Sequence, residues 1–399
     1  MSELRHISHL DLDAFFVSVE CLKNSAFKGK PLLVGGNSDR AVVAAASYEA
    51  RKFGVHSAMP MRLAKKLCPQ AIIIGGDMES YSHYSLLVTD IIKSKVPLYE
   101  KASIDEFYID LTGMDKFFGC QKFTTELRQT IIKESGLPIS YGLSANKFVS
   151  KVATDYAKPN GQHMVQHGTE KDFLAPMSVD KIPGVGQKTG ALLKQMGVQT
   201  IKILSEIPIE YLENLLGKAG HDLWRKAQGI DNSLVQPYHE QKSISTENTF
   251  ETDTTDMDFL HKALVRMVEK IGFELREQEK LTACLTIKIR YSNFDTVTKQ
   301  FTIPYTNSDG ALLIHAKNLF VKLYDRRLLI RLLGVRVTHL VQGSFQISLF
   351  DNTEEEIKLY QSIDAIKRRF GYQFLMRGAA PMRTQKLPDP LWLSKNKKQ

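Results

Sequence analysis

The sequence predicts an α+β protein of several domains, with strands and helices mixed irregularly and no regular βα repeat. Three observations carry that expectation. The chain has 399 residues, too many for one ordinary core, so roughly two to four domains follow. Apolar residues make up 43% and charged residues 24%, the balance of a globular protein. The hydrophobic pattern switches repeatedly between the strand period of about 2 and the helix period of about 3.6.

Each element follows from its local pattern. Ile7 to Asp11 alternates and reads as a strand, and Asp13 to Glu20 as the turn into a helix. Pro31 to Val34 is a strand closed by Gly35-Gly36. After the small apolar run Val42 to Ala46, Ser47 to Phe53 has helical spacing with a stop at Gly54. Tyr81 to Ile92 is an amphipathic helix, Ser103 to Asp110 a strand, Phe123 to Glu134 a helix and Ile139 to Gly142 a strand. Ser144 is placed to cap the next helix, which stops at Lys158-Pro159-Asn160-Gly161. Residues 166–241 are helical, with Gly and Pro at the joints, and the polar stretch 233–246 reads as a linker. From 247 to 342 mixed character returns, with strands at Leu285 to Tyr291, Thr296 to Ile303 and Leu333 to Leu340. Beyond Phe350 come an acidic stretch, a helix from Glu355 to Phe370 and a polar, basic end.

The bulk chemistry narrows the partners. Net charge is +9 and no block forms a charged tail, so a polyanion site must be assembled by folding. Cys21, Cys68, Cys120 and Cys284 form no CxxC pair, which argues against a zinc site and a disulfide framework. The start, Met1 to His6, lacks the apolar run of a signal peptide, and no stretch of about 18 apolar residues spans a membrane. The cytoplasm is the default compartment.

Five constellations carry chemistry. Asp11 and Asp13 lie in His9-Leu10-Asp11-Leu12-Asp13, and Asp105 and Glu106 in Ser103-Ile104-Asp105-Glu106-Phe107. Carboxylates from distant segments that meet at one point usually do so around a hard cation, and two such ions would make a two-metal enzyme. Neighbours on a strand face opposite sides, so Asp105 and Glu106 share a site only where the strand twists sharply or ends, while Asp11 and Asp13 should share a side. Spacing alone leaves helix caps and surface salt bridges equally open. Tyr48 and Arg51 share a helix face and suit a phosphate, or simply decorate an exposed helix. Lys158 at a helix end is a dipole partner or something more. Lys181-Ile182-Pro183-Gly184-Val185-Gly186, before the helical Gln187 to Leu193, has the form of a helix-hairpin-helix, whose backbone N–H groups approach a phosphate; a tight helix–helix turn is the alternative. Gln346-Ile347-Ser348-Leu349-Phe350 reads as a docking peptide or as an end that packs on its own domain.

Together these residues have a counterpart. His9 to Phe16, Ala46 to Gly54, Ser103 to Glu106, Gly142 to Lys147 and Ala157 to Gly161 occur in fixed order, and the chain resembles the Y-family DNA polymerases, within them the DinB branch, from about residue 5 to 350. The resemblance implies a right-hand architecture. The palm would be 1–19 and 76–165, the fingers 20–75, and the helix-hairpin-helix thumb 166–232. A linker at 233–242 would lead to an α+β little finger at 243–342, then a tail at 343–399 holding the peptide 346–350.

It also implies template-directed DNA synthesis by a distributive, low-fidelity translesion enzyme acting as a monomer on primer-template DNA and dNTP. Asp11, Asp105 and Glu106 would be catalytic, holding two Mg²⁺ ions with the Leu12 carbonyl. Asp105 would bridge both ions and Glu106 approach from the side. Phe15, Phe16, Tyr48, Arg51 and Lys158 would bind the nucleotide, with Phe16 as the steric gate against a 2′-hydroxyl. Ala44, Ala45, Ala46 and Ser47 would lie near the nascent base pair. Pro183, Gly184, Val185, Gly186, Lys188, Lys242, Ser243 and Arg331 would contact DNA, and Gln346, Leu349 and Phe350 the bacterial sliding clamp, the beta subunit. The rivals are a non-catalytic clamp-docking scaffold, which has no use for clustered carboxylates, and a repair nuclease or glycosylase, which has none for a triphosphate grip.

Overall fold

The computed structural model describes residues 4–114, 119–238, 240–324, 328–343 and 353–378. It divides into two compact units, Met1–His239 and Glu240–Gln399.

The first unit is organised by β1 (Ile7–Leu12). Two small strands, β2 (Leu32–Gly35) and β3 (Val43–Ala46), pair with β4 (Ile72–Ile74) in a three-stranded sheet ordered β3-β2-β4. Val43, Ala46, Met59 and Met61 give that sheet a core of its own. The main sheet adds β5 (Tyr99–Lys101), β6 (Glu106–Asp110), β7 (Ile139–Ser144) and β8 (Gln162–Met164), in the order β5-β6-β1-β7-β8. Central β1 runs antiparallel to both neighbours and is buried along its whole length. Its alternation therefore separates two interiors. Leu10 and Leu12 join the apolar core with Phe107, Ile109 and Leu143. His9 and Asp11 point to the other face, where Thr154 of the helix Lys147–Ala157 meets His9. That helix lies close because Gly142 stands beneath it: a Cβ there would come within 2.2 Å of the Ser150 carbonyl oxygen.

Helices Glu170–Leu174, Gln187–Gln195, Ile201–Glu206, Ile209–Leu216 and Lys218–Ala227 share a core with the helix Lys147–Ala157. The chain then returns to the main sheet. Val235 packs with Ile7 and Tyr108, and the Gln236 N–H donates to Glu100 at 2.8 Å. The polar stretch read as a linker is thus strapped to the sheet edge through 236, because Glu100 and Lys147 supply it with hydrogen bonds.

The second unit is a fully antiparallel sheet of β9 (Ser243–Thr254), β10 (Lys280–Tyr291), β11 (Thr296–Thr306) and β12 (Ile330–Gln342), ordered β11-β10-β12-β9. Helices Met257–Glu277 and Asp309–Leu323 pack against it. The helix Thr353–Phe370 is part of this unit rather than a loose tail. Arg276, with its side chain only 5% exposed, holds Asp364 through two nitrogens at 2.7 and 3.0 Å and Asp309 at 2.8 Å. Its guanidinium also lies 4.3 Å from the centre of the Tyr360 ring.

Three local expectations change. The strand expected from Ser103 begins only at Glu106, because residues 102–105 form the hairpin turn from β5 to β6. Asn146, not Ser144, caps the helix Lys147–Ala157, accepting from the Val149 N–H at 2.9 Å. The helix expected over Ser47 to Phe53 is one turn, Tyr48–Arg51, with Ser47 as its cap. No helix among the described residues is long and apolar enough to cross a membrane.

Breaking a buried ion pair leaves a charge without compensation. Asp364→Ala should therefore lower the stability of the second unit by about 3 kcal/mol, read by calorimetry on the full chain. Wild-type melting of that unit would rule out an integral role for the helix.

Candidate active site

The register of the main sheet builds the site. Asp11 on β1 is directly opposite Glu106 on β6, and the Leu12 N–H donates to the Asp105 carbonyl at 3.1 Å. Directly opposed residues share a sheet face, so Asp11 and Glu106 project together. Asp105 sits in the turn just before, freed from strand alternation. Ser103 shapes that turn: its hydroxyl accepts from the Glu106 N–H at 3.1 Å and donates to the Asp105 carboxylate at 2.6 Å.

Two lysines meet these carboxylates. Lys158 lies 2.5 Å from Asp11, and Lys151 pairs with Glu106. Burial pushes the Asp11 carboxyl up to about 7 even against Lys158, and Glu106 and Asp105 add to the rise. Glu106 moves the other way, to about 2, held down by the His9 ring and the Lys151 ammonium. At Lys158, burial opposes the charge, but Asp11 outweighs it and raises the ammonium above its ordinary value. Among the described residues no three His, Cys, Asp or Glu side chains close on one point as a ready-formed metal site would. The donor set nonetheless suits a hard cation: three carboxylates of different exposure, beside a backbone turn.

Asp13 does not join them. It is buried, accepting from Ser140 at 2.8 Å, the Asn160 N–H at 2.7 Å and the Tyr48 hydroxyl at 3.1 Å. It fastens the end of β1 to the Lys158–Gly161 turn and to the Tyr48–Arg51 helix. Burial and Asp13 raise the Tyr48 phenol, which stays protonated and donates. The Arg51 guanidinium stacks 4.6 Å from the centre of the Tyr48 ring and is exposed. Phe15 is buried; Phe16 is half-buried and stacks on Tyr81 at 4.2 Å, so its ring has a fixed backing. Of Ala44 to Ser47 only Ala44 is exposed. The Ser47 hydroxyl is committed to the Lys30 carbonyl and the Leu32 and Ala50 N–H groups.

The remaining sequence-derived sites belong to different elements of the two units. Gly184, with φ of 98°, and Gly186 are exposed at the hairpin before the helix Gln187–Gln195, as is Lys188 on its first turn. Val185 is half-buried there, and Lys226 braces the hairpin through the Pro183 carbonyl at 2.9 Å. Lys242 and Ser243 open β9, where Ser243 pairs with Thr338. Arg331 lies seven residues before Thr338 on β12, about 23 Å away at strand rise, over the Phe294 ring. Those residues form no single cluster. Gln346, Leu349 and Phe350 lie outside the described residues. The sequence reading gave no role to Lys151 or Thr154. The seven-residue spacing of Lys151 and Lys158, two helical turns, was the available signal.

Known proteins place this arrangement. A solved chimera of the Y-family DNA polymerases Dbh and Dpo4 superposes with a TM-score of 0.75 and 26% identity, covering 85% of this chain and all of that one. The fold is therefore that of the Y-family polymerases, with palm, thumb and little finger. The impB/mucB/samB family model matches residues 10–155 and its C-terminal domain model 241–349, and the DNA polymerase-iota thumb domain model matches 180–231. The DNA polymerase IV of Dehalococcoides mccartyi strain BAV1 is 40% identical over 390 residues, 97% of this chain and 99% of that protein. The DNA polymerase IV of Listeria monocytogenes EGD-e is 39% identical over 351 residues, 87% of this chain and 98% of that one. The chain belongs to the DNA polymerase IV (DinB-type) branch of the Y family and is a DNA-directed DNA polymerase.

The raised Asp11 carboxyl is measurable. In protein stripped of metal by EDTA, carboxyl NMR should find Asp11 titrating near 7, and Lys158→Met should move it higher. Because the folded value exceeds the ordinary 3.8, the stability this group contributes is present below 3.8 and lost as pH rises through about 7. Titration near 4 would refute the buried placement.

Proposed function

We propose that this polymerase is a distributive, low-fidelity translesion enzyme that joins dNTP to a primer 3′ end by two-metal chemistry, at Asp11, Asp105 and Glu106. The observation that carries the proposal is the opposition of Asp11 and Glu106 across β1 and β6 with Asp105 in the adjoining turn. The three carboxylates and the Leu12 carbonyl would hold two Mg²⁺ ions. Bound there, the ions supply Lewis-acid activation of the 3′-hydroxyl and neutralise the leaving phosphates.

The rest is performed by the chain. Tyr48, Arg51 and Lys158 bind the β- and γ-phosphates, the guanidinium by a planar fork and the phenol as a protonated donor. Lys158, which pairs with Asp11 here, would stabilise charge on the departing pyrophosphate. The primer 3′ oxygen bonds to the α-phosphorus, the α–β bridging P–O bond breaks, pyrophosphate leaves with the electron pair, and the hydroxyl proton passes to solvent. Phe16 would form the floor under the sugar, with the buried Phe15 packed beside it at 5.5 Å. Tyr81 prevents the Phe16 ring from tilting away, which supports its assignment as the gate. The exposed hairpin at Pro183–Gly186 with Lys188 would track the DNA backbone, as would Lys242, Ser243 and Arg331. Fingers built on so short a three-stranded sheet would leave the site open, which supports tolerance of altered templates. The peptide Gln346-Ile347-Ser348-Leu349-Phe350 would dock on the sliding clamp and raise the local concentration of primer termini, offsetting a weak grip. The enzyme would act in the cytoplasm as a monomer.

Primer extension with purified protein, Mg²⁺ and dNTP tests the chemistry. Asp105→Ala should abolish extension, and Phe16→Val should raise ribonucleotide incorporation at least about tenfold. Full extension by Asp105→Ala would sink the metal assignment, and unchanged sugar discrimination would sink the gate. Clamp docking is tested separately with the double substitution Leu349→Ala and Phe350→Ala. Stimulation by the clamp should vanish while clamp-free extension persists, and undiminished stimulation would exclude the peptide.

A further inference from the structure

The Glu106 carboxylate has a supporting structure behind it that the chemistry above does not use. Lys151 reaches it from the helix Lys147–Ala157, and the His9 ring lies beneath. Both contacts fall on the same oxygen, Oε2: the Lys151 ammonium as an ion pair and His9 Nε2 at 3.5 Å. That ring distance is long for a hydrogen bond, so Lys151 has the firmer hold.

The ring itself is set by Thr154. His9 is fully buried. Its Nδ1 lies 2.9 Å from the Thr154 hydroxyl, which itself donates within the helix to the Ser150 carbonyl at 2.9 Å, so the ring is tied to that helix. Thr154 and Lys151 come from one helix, and Gly142 lets that helix sit close enough for both to act.

We propose that Lys151 is the positioning residue for Glu106: it occupies Oε2, fixes the carboxylate rotamer and leaves Oε1 as the oxygen offered to a cation. The need is physical. Asp11, Asp105 and Glu106 are like charges in a partly buried site, and an unrestrained Glu106 would swing outward. Lys158, just after that helix, already serves Asp11, and Lys147 on the helix pairs with Glu100, so Lys151 is the cation left for the second carboxylate. The inference rests on the reading of Glu106 as a metal ligand.

The test uses the full-length enzyme. Lys151→Met keeps the aliphatic stem and removes the charge. It should lower kcat by about 10- to 100-fold and leave the KM for dNTP unchanged. Mn²⁺ binding, followed by EPR without dNTP, should be no weaker than in wild type, because loss of a nearby positive charge cannot weaken attraction for a cation. Lys151→Arg should recover most of kcat. Wild-type kcat in Lys151→Met would overturn the inference. So would loss of kcat with equally weakened Mn²⁺ binding, loss explained by a collapsed melting temperature, or failure of Lys151→Arg to rescue. Glu106→Gln separates the two levels. If it is fully active, the metal assignment itself fails. If it is inactive while Lys151→Met is wild type, only the positioning role fails.

Discussion

The structure depends on one constraint: like charges are brought together at the centre of a buried sheet. Register makes this unavoidable, since Asp11 and Glu106 are direct partners across two central strands. A pair of carboxylates so placed repels in a partly desolvated setting. The helix Lys147–Ala157 answers with Lys151 on Glu106, and the residue that follows it, Lys158, pairs with Asp11. Its approach is set by Gly142, opposite His9 in the register, where any side chain would collide with the helix backbone. A glycine in one strand therefore governs the electrostatics of a residue in another.

The two carboxylates come out in different protonation regimes for the same reason. Asp11 is nearly enclosed, and burial dominates its titration despite a lysine at 2.5 Å. Glu106 is more open, with the His9 ring 3.5 Å away and the Lys151 ammonium on its Oε2, so its charge is favoured. One group is thus poised near neutrality and the other is firmly ionised. Asp13, two residues from Asp11, plays neither part. Its acceptors are taken up by Ser140, Asn160 and Tyr48, so it acts as a rivet where three segments converge. This holds Tyr48 and Lys158, which come from segments far apart in sequence, in fixed relation to the sheet.

Much of this was legible in the sequence. The alternation of Ile7 to Asp11 and the apolar runs at Pro31 to Val34 and Ile139 to Gly142 marked strands that exist. The motif residues Asp11, Asp105, Glu106, Tyr48, Arg51 and Lys158 were all singled out. What periodicity missed is informative. Ser103 to Asp105 looks apolar-polar enough to extend a strand, but side-chain hydrogen bonds from Ser103 stabilise a turn. That turn resolves the difficulty that strand neighbours face opposite ways. Ser144 and Asn146 both offer caps, and only tertiary pairing decides between them: Ser144 is consumed as the last residue of β7, opposite Ile7. Lys151 and Thr154 carry no local mark at all, because their partners lie on a strand more than a hundred residues away in sequence for Thr154 and in the β6 strand for Lys151.

The same reasoning accounts for the C-terminal helix. As sequence, Glu355 to Phe370 reads as a helix between an acidic stretch and a polar, basic end. Its buried side holds Tyr360, Asp364 and Lys367, two of them charged, which no hydrophobic pattern could reveal. They are accommodated because the helix Met257–Glu277 presents Arg276 and omits a side chain at Gly272, where a Cβ would meet the Asp309 carboxylate at 1.8 Å. Lys367 then lies over the Tyr372 ring at 4.7 Å, and Arg377 closes onto Glu269 at 3.3 Å. A free tail would gain nothing from burying charge, since desolvation costs several kcal/mol per ion unless each is met by a partner in good geometry. The partners are all present and all come from the second unit. The helix is therefore an integral part of that unit.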